Sequence, residues 1–144
     1  MLRCLSVNPS EVTQLYWQLS AEGKIKEAGN YVLRINSVNI HEHVVPQTII
    51  LDSKGTNLQG IGHPIVSELE TSRERFFSVD FPNFIYRKKL KLREILSEKI
   101  NENRAKVVIN VIFEGQEIDF KLEHQLYRDG NIWKIIGVRM LYER

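Results

Sequence analysis

Residues 105–135 read AKVVINVIFEGQEIDFKLEHQLYRDGNIWKI, and the architecture of the whole chain follows from their pattern. Val, Ile, Leu and aromatic residues alternate here with polar ones and no proline interrupts them, which is typical of β-strands. Two hairpin loops divide the stretch: Gly115-Gln116 suits a two-residue turn, and Asp129-Gly130 tolerates the positive φ angles that such turns need. A weaker turn signal at Glu102-Asn103 adds one strand before them. The sequence therefore predicts a four-strand antiparallel meander within residues 86–142.

Two-residue loops determine which residues face each other across neighbouring strands. In the last hairpin the predicted pairs are Leu126 with Trp133, His124 with Ile135, Leu122 with Gly137 and Phe120 with Arg139. In the middle hairpin they are Phe113 with Ile118, Val111 with Phe120, Ile109 with Leu122 and Val107 with His124. In the first hairpin they are Leu92 with Phe113, Glu94 with Val111, Leu96 with Ile109 and Glu98 with Val107. These pairs place one continuous apolar set on a single face, which a slip by one residue would destroy.

Helices at the N-terminus are predicted to cover that apolar face. Asn8 or Ser10 can cap the first helix, and Pro9 is favoured at a first helical position. An apolar stripe follows at helical spacing, formed by Val12, Leu15, Tyr16 and Leu19. A second helix over about residues 24–36 completes a helical hairpin spanning about 9–36. The fold class predicted is α+β, with the helices packed on a curved antiparallel sheet.

Residues 37–85 form a variable middle region. Short strands are predicted around Pro46, and a third, short helix over residues 64–70. Phe76, Phe77, Phe81, Phe84 and Tyr86 form an aromatic cluster near Pro82, which we interpret as a loop that packs over the open end of the core. A pocket lid or a partner surface is the alternative interpretation of this cluster.

Length and composition predict one ordinary domain over residues 1–144, because the chain is 42% hydrophobic and 26% charged. A net charge of +2 does not imply an electrostatic grip on nucleic acid by the whole protein. The single cysteine, Cys4, cannot form an internal disulfide. No apolar run is long enough to span a membrane, and the N-terminus is not a signal peptide as it stands. A cytoplasmic location is the default expectation, although an exported protein with its signal removed would look the same.

Three segments carry a resemblance to a known superfamily. They are Val12-Thr-Gln-Leu-Tyr-Trp17 with Ala28, Ala105-Lys-Val-Val-Ile109, and Asp129-Gly-Asn-Ile-Trp-Lys-Ile135. Two helices, a variable middle and a bent meander with these segments resemble the nuclear-transport-factor-2-like (cystatin-like cone) superfamily. The resemblance implies a sheet curled around the helices into a cone, often with an apolar pocket. Its members include isomerase-like and dehydratase-like enzymes, many binding modules and accessory domains of secretion systems, so it informs the fold more than the function.

Polar side chains on the predicted helix-covered face are candidate pocket residues, namely Glu94, Glu98, His124 and Arg139. In a curled sheet they would converge as acid, base or ligand anchor, and Tyr16 or Tyr31 could add a hydroxyl. The favoured alternative follows from the cost of burying an unpaired charge. In it, Glu98 and Arg139 reach water at the rims of the sheet, and His124 is a satisfied core residue. Nothing matches the superfamily's catalytic pattern residue by residue, so no catalytic residue is assigned.

The segment His41-Glu42-His43 raises the question of a metal site. On a strand His41 and His43 would point the same way, and two imidazoles at that spacing can bind zinc. No third ligand stands at a recognised spacing. We therefore interpret the segment as surface histidines and predict neither a metal nor another cofactor.

Residues 87–93 contain five basic residues in seven, in the run Arg87-Lys-Lys-Leu-Lys-Leu-Arg93. Lys89, Lys91 and Arg93 share one face of a predicted strand, which indicates a local patch for an anion or a nucleic acid. Lysines also protect an edge strand from pairing with other chains. Nucleic-acid binding is the less favoured interpretation, because no RNA-binding motif accompanies the patch.

The opposite, outer face of the predicted sheet carries an apolar stripe. Its members are interface candidates, namely Val108, Ile112, Ile136, Val138 and Met140. Large exposed apolar patches mark interaction surfaces, so the stripe predicts a homodimer through this face. The competing explanation is that the C-terminal residues or the 40–60 segment fold back and cover the stripe.

Three functions remain open at this stage. The first is a non-catalytic module of the cone fold that binds a small apolar ligand or a protein partner. The second is a small pocket enzyme of isomerase or dehydratase type, acting near Glu94, His124 or Tyr31. The third is anion or nucleic-acid binding through residues 87–93. An open pocket with a perturbed carboxylate or histidine would favour the enzyme, and a filled interior the module.

Overall fold

A computed structural model of the chain describes residues 8–42, 45–52, 54–67, 81–116 and 119–141. Within these ranges, residues 36–42, 45–48, 81, 82 and 84 are described by their backbone alone. The helices are α1 (Pro9–Ala21), α2 (Ile25–Gly29) and α3 (Phe81–Lys88). The strands are β1 (Ile35–Glu42), β2 (Val45–Asp52), β3 (Leu90–Asn101), β4 (Arg104–Phe113), β5 (Asp119–Asp129) and β6 (Ile132–Leu141).

The main sheet is an open antiparallel meander in the order β3-β4-β5-β6. The helices pack on one side of it, called here the helix face, and the other side is the outer face. The predicted α+β class and the four-strand meander are confirmed. The predicted register of the middle hairpin is also confirmed, since Val107 pairs with His124 and Ile109 with Leu122.

The first hairpin departs from the predicted register part of the way along β3. Near the turn Glu98 pairs with Val107, as predicted. Two β-bulges then interrupt the pairing, one between Leu92 and Glu94 and one between Ile95 and Ser97. Each bulge sets an extra residue in β3 against β4 and bends the strand. Leu92 consequently lies opposite Val111 rather than Phe113.

Because of these bulges, two positions of β3 face the side of the sheet opposite to the one predicted. Ile95, not Leu96, faces Ile109 and packs against the core, and Leu96 is 42% exposed. Glu94 lies opposite Asn110 on the outer face, so its predicted place on the helix face is wrong. The physical reason is visible afterwards in the spacing of three between Leu92 and Ile95, which breaks the period of two that a regular strand requires.

The last hairpin departs in two ways. Its loop is Gly130-Asn131 rather than Asp129-Gly130, because Asp129 pairs with Ile132. The pairing therefore shifts by two residues, which leaves Trp133 and Ile135 on the helix face in the core as predicted. A bulge opposite Gln125 and Leu126 then shifts it by one more residue.

Because of that bulge, the side chains at the end of β6 point to the opposite faces of the sheet from those predicted. Val138 pairs with His124 and packs against the core, and Met140 pairs with Leu122, so both lie on the helix face. Arg139 pairs with Glu123 on the outer face. The predicted faces of these three β6 residues are wrong, because Gly137 lies at an irregularity where two residues occupy the place of one.

The first helix forms where it was predicted. Asn8 caps it, with its side-chain oxygen accepting from the backbone N–H of Glu11 at 2.8 Å. Its buried side includes Val12, Tyr16 and Trp17. The buried Thr13 and Ser20 donate to backbone carbonyls one turn earlier, which satisfies their hydroxyl groups inside the core.

The second helix is shorter than predicted, since α2 ends at Gly29 rather than near residue 36. The chain then runs beside β6: the N–H of Ile135 donates to the carbonyl of Tyr31 at 2.8 Å, and the N–H of Leu33 donates to the carbonyl of Ile135 at 3.0 Å. This pairing occupies part of the β6 edge. Sheet hydrogen bonds and the β-branched Val32 and Ile35 therefore override the helical spacing.

The middle region forms a hairpin of β1 and β2, which are longer than the predicted short strands. Ile50 of β2, Leu58 and Ile65 pack with Tyr127 and Ile136 in a second apolar cluster. This cluster covers the outer face near the β5–β6 turn. Residues 65–67 are helical, Pro64 lies in a turn, and residues 68–70 of the predicted 64–70 helix lie outside the described residues.

The third helix occupies part of the predicted aromatic loop. Pro82 is the second residue of α3, where a helix has no internal partner for the backbone N–H that proline lacks. The interpretation of residues 81–86 as a loop is therefore wrong, and Phe76 and Phe77 lie outside the described residues. Within the described part of the chain, every helix is too short or too polar to cross a bilayer.

Candidate functional site

The candidate pocket residues do not converge on one site. Arg139 lies on the outer face, where its Nε–H donates to Glu123 Oε1 at 2.8 Å. Glu94 is exposed on the same face, whereas His124 and Tyr16 are buried on the helix face. Tyr31 is partly buried and packs against the helix-face core. The sheet therefore separates two of the five candidates from the other three.

His124 is a core residue with one well-defined hydrogen bond. It is fully buried, and Trp17 Nε1–H donates to its Nε2 at 2.8 Å. The rings of Tyr16 and Trp17 meet the imidazole edge-on, at centroid distances of 6.4 and 6.0 Å. Because Nε2 accepts this bond, the proton of the neutral ring resides on Nδ1.

Burial determines the charge of His124. Desolvation lowers the pKa of its imidazole from 6.5 to about 3, so the ring is neutral at physiological pH. Its Nδ1 has no hydrogen-bond partner in the described part of the chain. A neutral histidine closed off by two aromatic rings suits packing better than proton transfer with a substrate.

Glu98 reaches the N-terminus of α1 instead of lining a pocket. Its carboxylate accepts from the backbone N–H of Ser10 at 2.9 Å and also from the Ser10 hydroxyl. The first N–H groups of a helix lack internal partners and favour negative charge. Glu98 therefore joins β3 to α1, and its predicted position near the rim of the sheet agrees with its exposure.

A surface groove lies between α1 and β3. Its volume is about 480 Å³, and its lining residues are Gln14, Trp17, Gln18, Ala21, Glu22, Lys91 and Leu92. Ala21 and Leu92 supply most of the accessible apolar surface, since Trp17 is only 2% exposed, and the glutamines and charged residues form the rim. We call this feature the α1–β3 groove. No sequence signal predicts it, because it depends on where α1 crosses the sheet.

A second cleft continues the groove toward α3. Its volume is about 390 Å³, and it shares Ala21 and Lys91 with the α1–β3 groove. Ile85, Tyr86, Arg87, Lys89, Leu90 and Glu114 complete its lining. We call it the α3 cleft. The basic run at residues 87–93 is the sequence signal that points to it.

Two of the five cations in the basic run form ion pairs with described carboxylates, and the other three do not. Lys91 Nζ lies 3.4 Å from Glu114 Oε1, and Arg93 lies 3.5 Å from Asp119 on the outer face. Arg87, Lys88 and Lys89 are exposed and make no ion pair with a carboxylate of the described residues. The cations that have no carboxylate partner among the described residues are therefore concentrated at the α3 end of the groove.

The outer-face stripe is not continuous. Ile136 is only 5% exposed, because residues of the middle region cover it. Val138 and Met140 lie on the helix face. Val108 and Ile112 remain on the outer face and are partly buried. The competing explanation, a covering segment from residues 40–60, accounts for the burial of Ile136. Three of the five interface candidates are therefore either covered or on the other face of the sheet, and the homodimer stays a prediction.

The described residues contain no cluster of three or more histidine, cysteine, aspartate or glutamate side chains that could hold a metal. His41 belongs to β1, and His43 lies outside the described residues, as does Cys4. No protein-family model matches the chain, and no curated protein matches it either. The resemblance to the nuclear-transport-factor-2-like superfamily and its cone shape stay predictions, so function has to be inferred from the site.

Proposed function

We propose that this domain is a non-catalytic interaction module that binds a short segment of a protein partner in the α1–β3 groove. The observation that carries the proposal is the groove itself, an open cleft of about 480 Å³ with an apolar floor and a polar rim. Apolar floors with a few polar groups around them are typical of binding sites.

The shape of the groove favours a peptide over a small apolar ligand. Gln14 and Gln18 lie along α1 at the rim and Glu22 follows its last residue, and a separation of eight residues along a helix is about 12 Å. An extended chain of four residues has a similar length, about 13 Å. The Gln18 amide donates to Glu22 Oε1 at 3.3 Å, which leaves its oxygen and the Gln14 amide to pair with a peptide backbone, whereas a small apolar molecule would not use them.

The interior supports a non-catalytic role. Glu94 and Arg139 lie on the opposite face of the sheet from His124, so these groups cannot act on one substrate. His124 itself is neutral and enclosed by the side chains of Tyr16 and Trp17. The isomerase-type alternative would need a pocket that brings such groups together.

A peptide selection tests the proposal. Random dodecapeptides displayed on phage are selected on the immobilised protein, and enriched peptides are then measured by fluorescence anisotropy. Ala21→Trp places a bulky side chain in the groove, and we expect it to weaken binding about tenfold or more, which is about 1.4 kcal/mol. Leu96→Trp, on β3 outside the groove, is the matched control and should leave binding within about twofold.

Two results would contradict the proposal. The first is a selection that enriches no peptide over an unrelated control protein. The second is a set of enriched peptides that bind Ala21→Trp as well as the unmodified chain. Circular dichroism melting of both tryptophan variants checks that neither substitution unfolds the domain.

A further inference from the structure

We infer that the partner segment recognised by this domain is acidic at one end, and that its carboxylates lie in the α3 cleft. The inference rests on the proposed function, because it adds the chemistry of the occupant to the groove already described. Three observations support it: the lining of the cleft, the ion pairs of its cations and the distribution of its negative charges.

The α3 cleft combines an apolar floor with a basic rim. Ile85 and Leu90 lie at its base but are almost fully buried, so Ala21 and the half-exposed ring of Tyr86 supply the apolar surface that a ligand can reach. Arg87, Lys89 and Lys91 contribute three cations to the lining, against the single carboxylate of Glu114. An apolar side chain followed by a carboxylate fits such a cleft, since the first can be buried while the second stays at the charged rim.

Among the described residues, no strong ion pair occupies the cations of the cleft. The Lys91–Glu114 pair is about half exposed on both sides, and exposed pairs of this kind contribute little to stability. Arg87 and Lys89 have no carboxylate partner among the described residues. A carboxylate from a partner could therefore bind them without first breaking an ion pair between described residues.

The end of α3 does not account for all of these cations. Basic residues in the last turn of a helix interact favourably with its dipole, which explains Arg87 and Lys88. Lys89 lies beyond the last helical residue, and Lys91 belongs to β3. The concentration of positive charge thus extends past the helix and along the edge of the groove.

Tyr86 forms one wall of the cleft. Tyr86 is 53% exposed, but its ring lies against Gly23, where an added Cβ would come within 3.1 Å of Tyr86 Cε2. Gly23 has a φ of +81°, which glycine adopts without strain. The ring of Tyr86 therefore lies over the α1–α2 turn and forms one side of the cleft.

The charge pattern favours a few carboxylates over a long polyanion. Glu22 lies on the rim of the groove and Glu114 on that of the cleft, so negative charge recurs along the path. A nucleic-acid strand would bring repeated phosphates past both glutamates. An acidic peptide can place its carboxylates at Arg87 and Lys89 and its apolar residues over Leu92.

Charge reversal distinguishes this inference from the proposed function. Peptides enriched from the dodecapeptide library are sequenced and measured on Arg87→Glu/Lys89→Glu. The matched control is Lys99→Glu/Arg128→Glu, which reverses two exposed cations at the opposite end of the sheet. We expect the enriched peptides to carry aspartate or glutamate next to apolar residues.

Their affinity should fall about tenfold or more on the first variant and change about twofold or less on the control. Raising NaCl from about 50 to about 300 mM should weaken binding to the unmodified chain, because screening acts on exposed charges.

Three results would overturn the inference. If enriched peptides depend on Ala21 but are neutral or basic and bind the charge-reversed variant equally well, the inference fails and the proposed function stands. If no enriched peptide depends on Ala21, both fail. If single-stranded DNA of random sequence is retarded in a gel and this depends on Arg87 and Lys89, nucleic-acid binding replaces the acidic peptide.

Discussion

His124 links the stability of the native state to pH. Desolvation holds its pKa at about 3 in the folded chain, against 6.5 in an unfolded one. Between these values the unfolded state binds a proton that the native state excludes. Above pH 6.5 this histidine therefore costs the native state nothing. As the pH falls from 6.5 toward 3, the free energy of unfolding decreases by about 1.4 kcal/mol per pH unit.

Urea unfolding at pH 7, 5.5 and 4.5 measures this slope, with His124→Gln as the comparison. Glutamine can still accept a hydrogen bond from Trp17 but does not titrate. We expect the variant to lose the contribution of one proton to the slope, whatever its stability at pH 7. An unchanged slope in the variant would show that His124 is not the group responsible.

Replacement of Trp133 tests the predicted position of this large side chain in the core. It is only 6% exposed and packs in the helix-face cluster with Val12 and Trp17. Removal of a buried tryptophan side chain leaves a cavity, so we expect Trp133→Ala to lower the free energy of unfolding by about 3–5 kcal/mol. A loss below about 1 kcal/mol in urea titrations would contradict this placement of β6.

At the scale of the elements, the bulge in β6 has a consequence that substitution can measure. Val138 faces the helices only because the bulge is present; in a regular strand it would face outward. We expect Val138→Lys to lower the free energy of unfolding by about 1–3 kcal/mol, since a lysine there must leave the core or bury its charge.

Met140→Lys is the control for this test, because Met140 lies on the same face of β6 but is 44% exposed. We expect a change within about 0.5 kcal/mol there. Equal small effects at both positions would indicate a regular strand without the bulge. Ile135 and Val138, which flank the bulge on the helix face of β6, are three residues apart. Leu92 and Ile95 have the same spacing at a bulge in β3, so the bulges share a sequence pattern.

At the scale of the whole molecule, the small part of the apolar stripe that remains on the outer face bears on the oligomeric state. Stable interfaces bury about 1,200–2,000 Å² in total, and the partly buried Val108 and Ile112 are the stripe members left on the outer face. We expect light scattering at tens of micromolar protein to give the monomer mass of 16.9 kDa. A dimer mass that Ile112→Lys halves would restore the homodimer prediction.

The sequence alone determined the features that depend on neighbouring residues. Alternating apolar residues specified the meander and the Val107–His124 register, and Asn8 with Pro9 specified the start of α1. The core position of Trp133 followed from the same alternation. Such patterns are visible without coordinates because period, capping and turn preference act over a few adjacent residues.

Only the tertiary structure decided the features that depend on distant residues. Residues 31–33 are not helical, contrary to the prediction, because the edge of β6 offers hydrogen-bond partners to their backbone. The α1–β3 groove exists because Trp17 and Leu92, far apart in the chain, lie side by side. Energies of this kind come from contacts between separate elements, and no local pattern of residues records them.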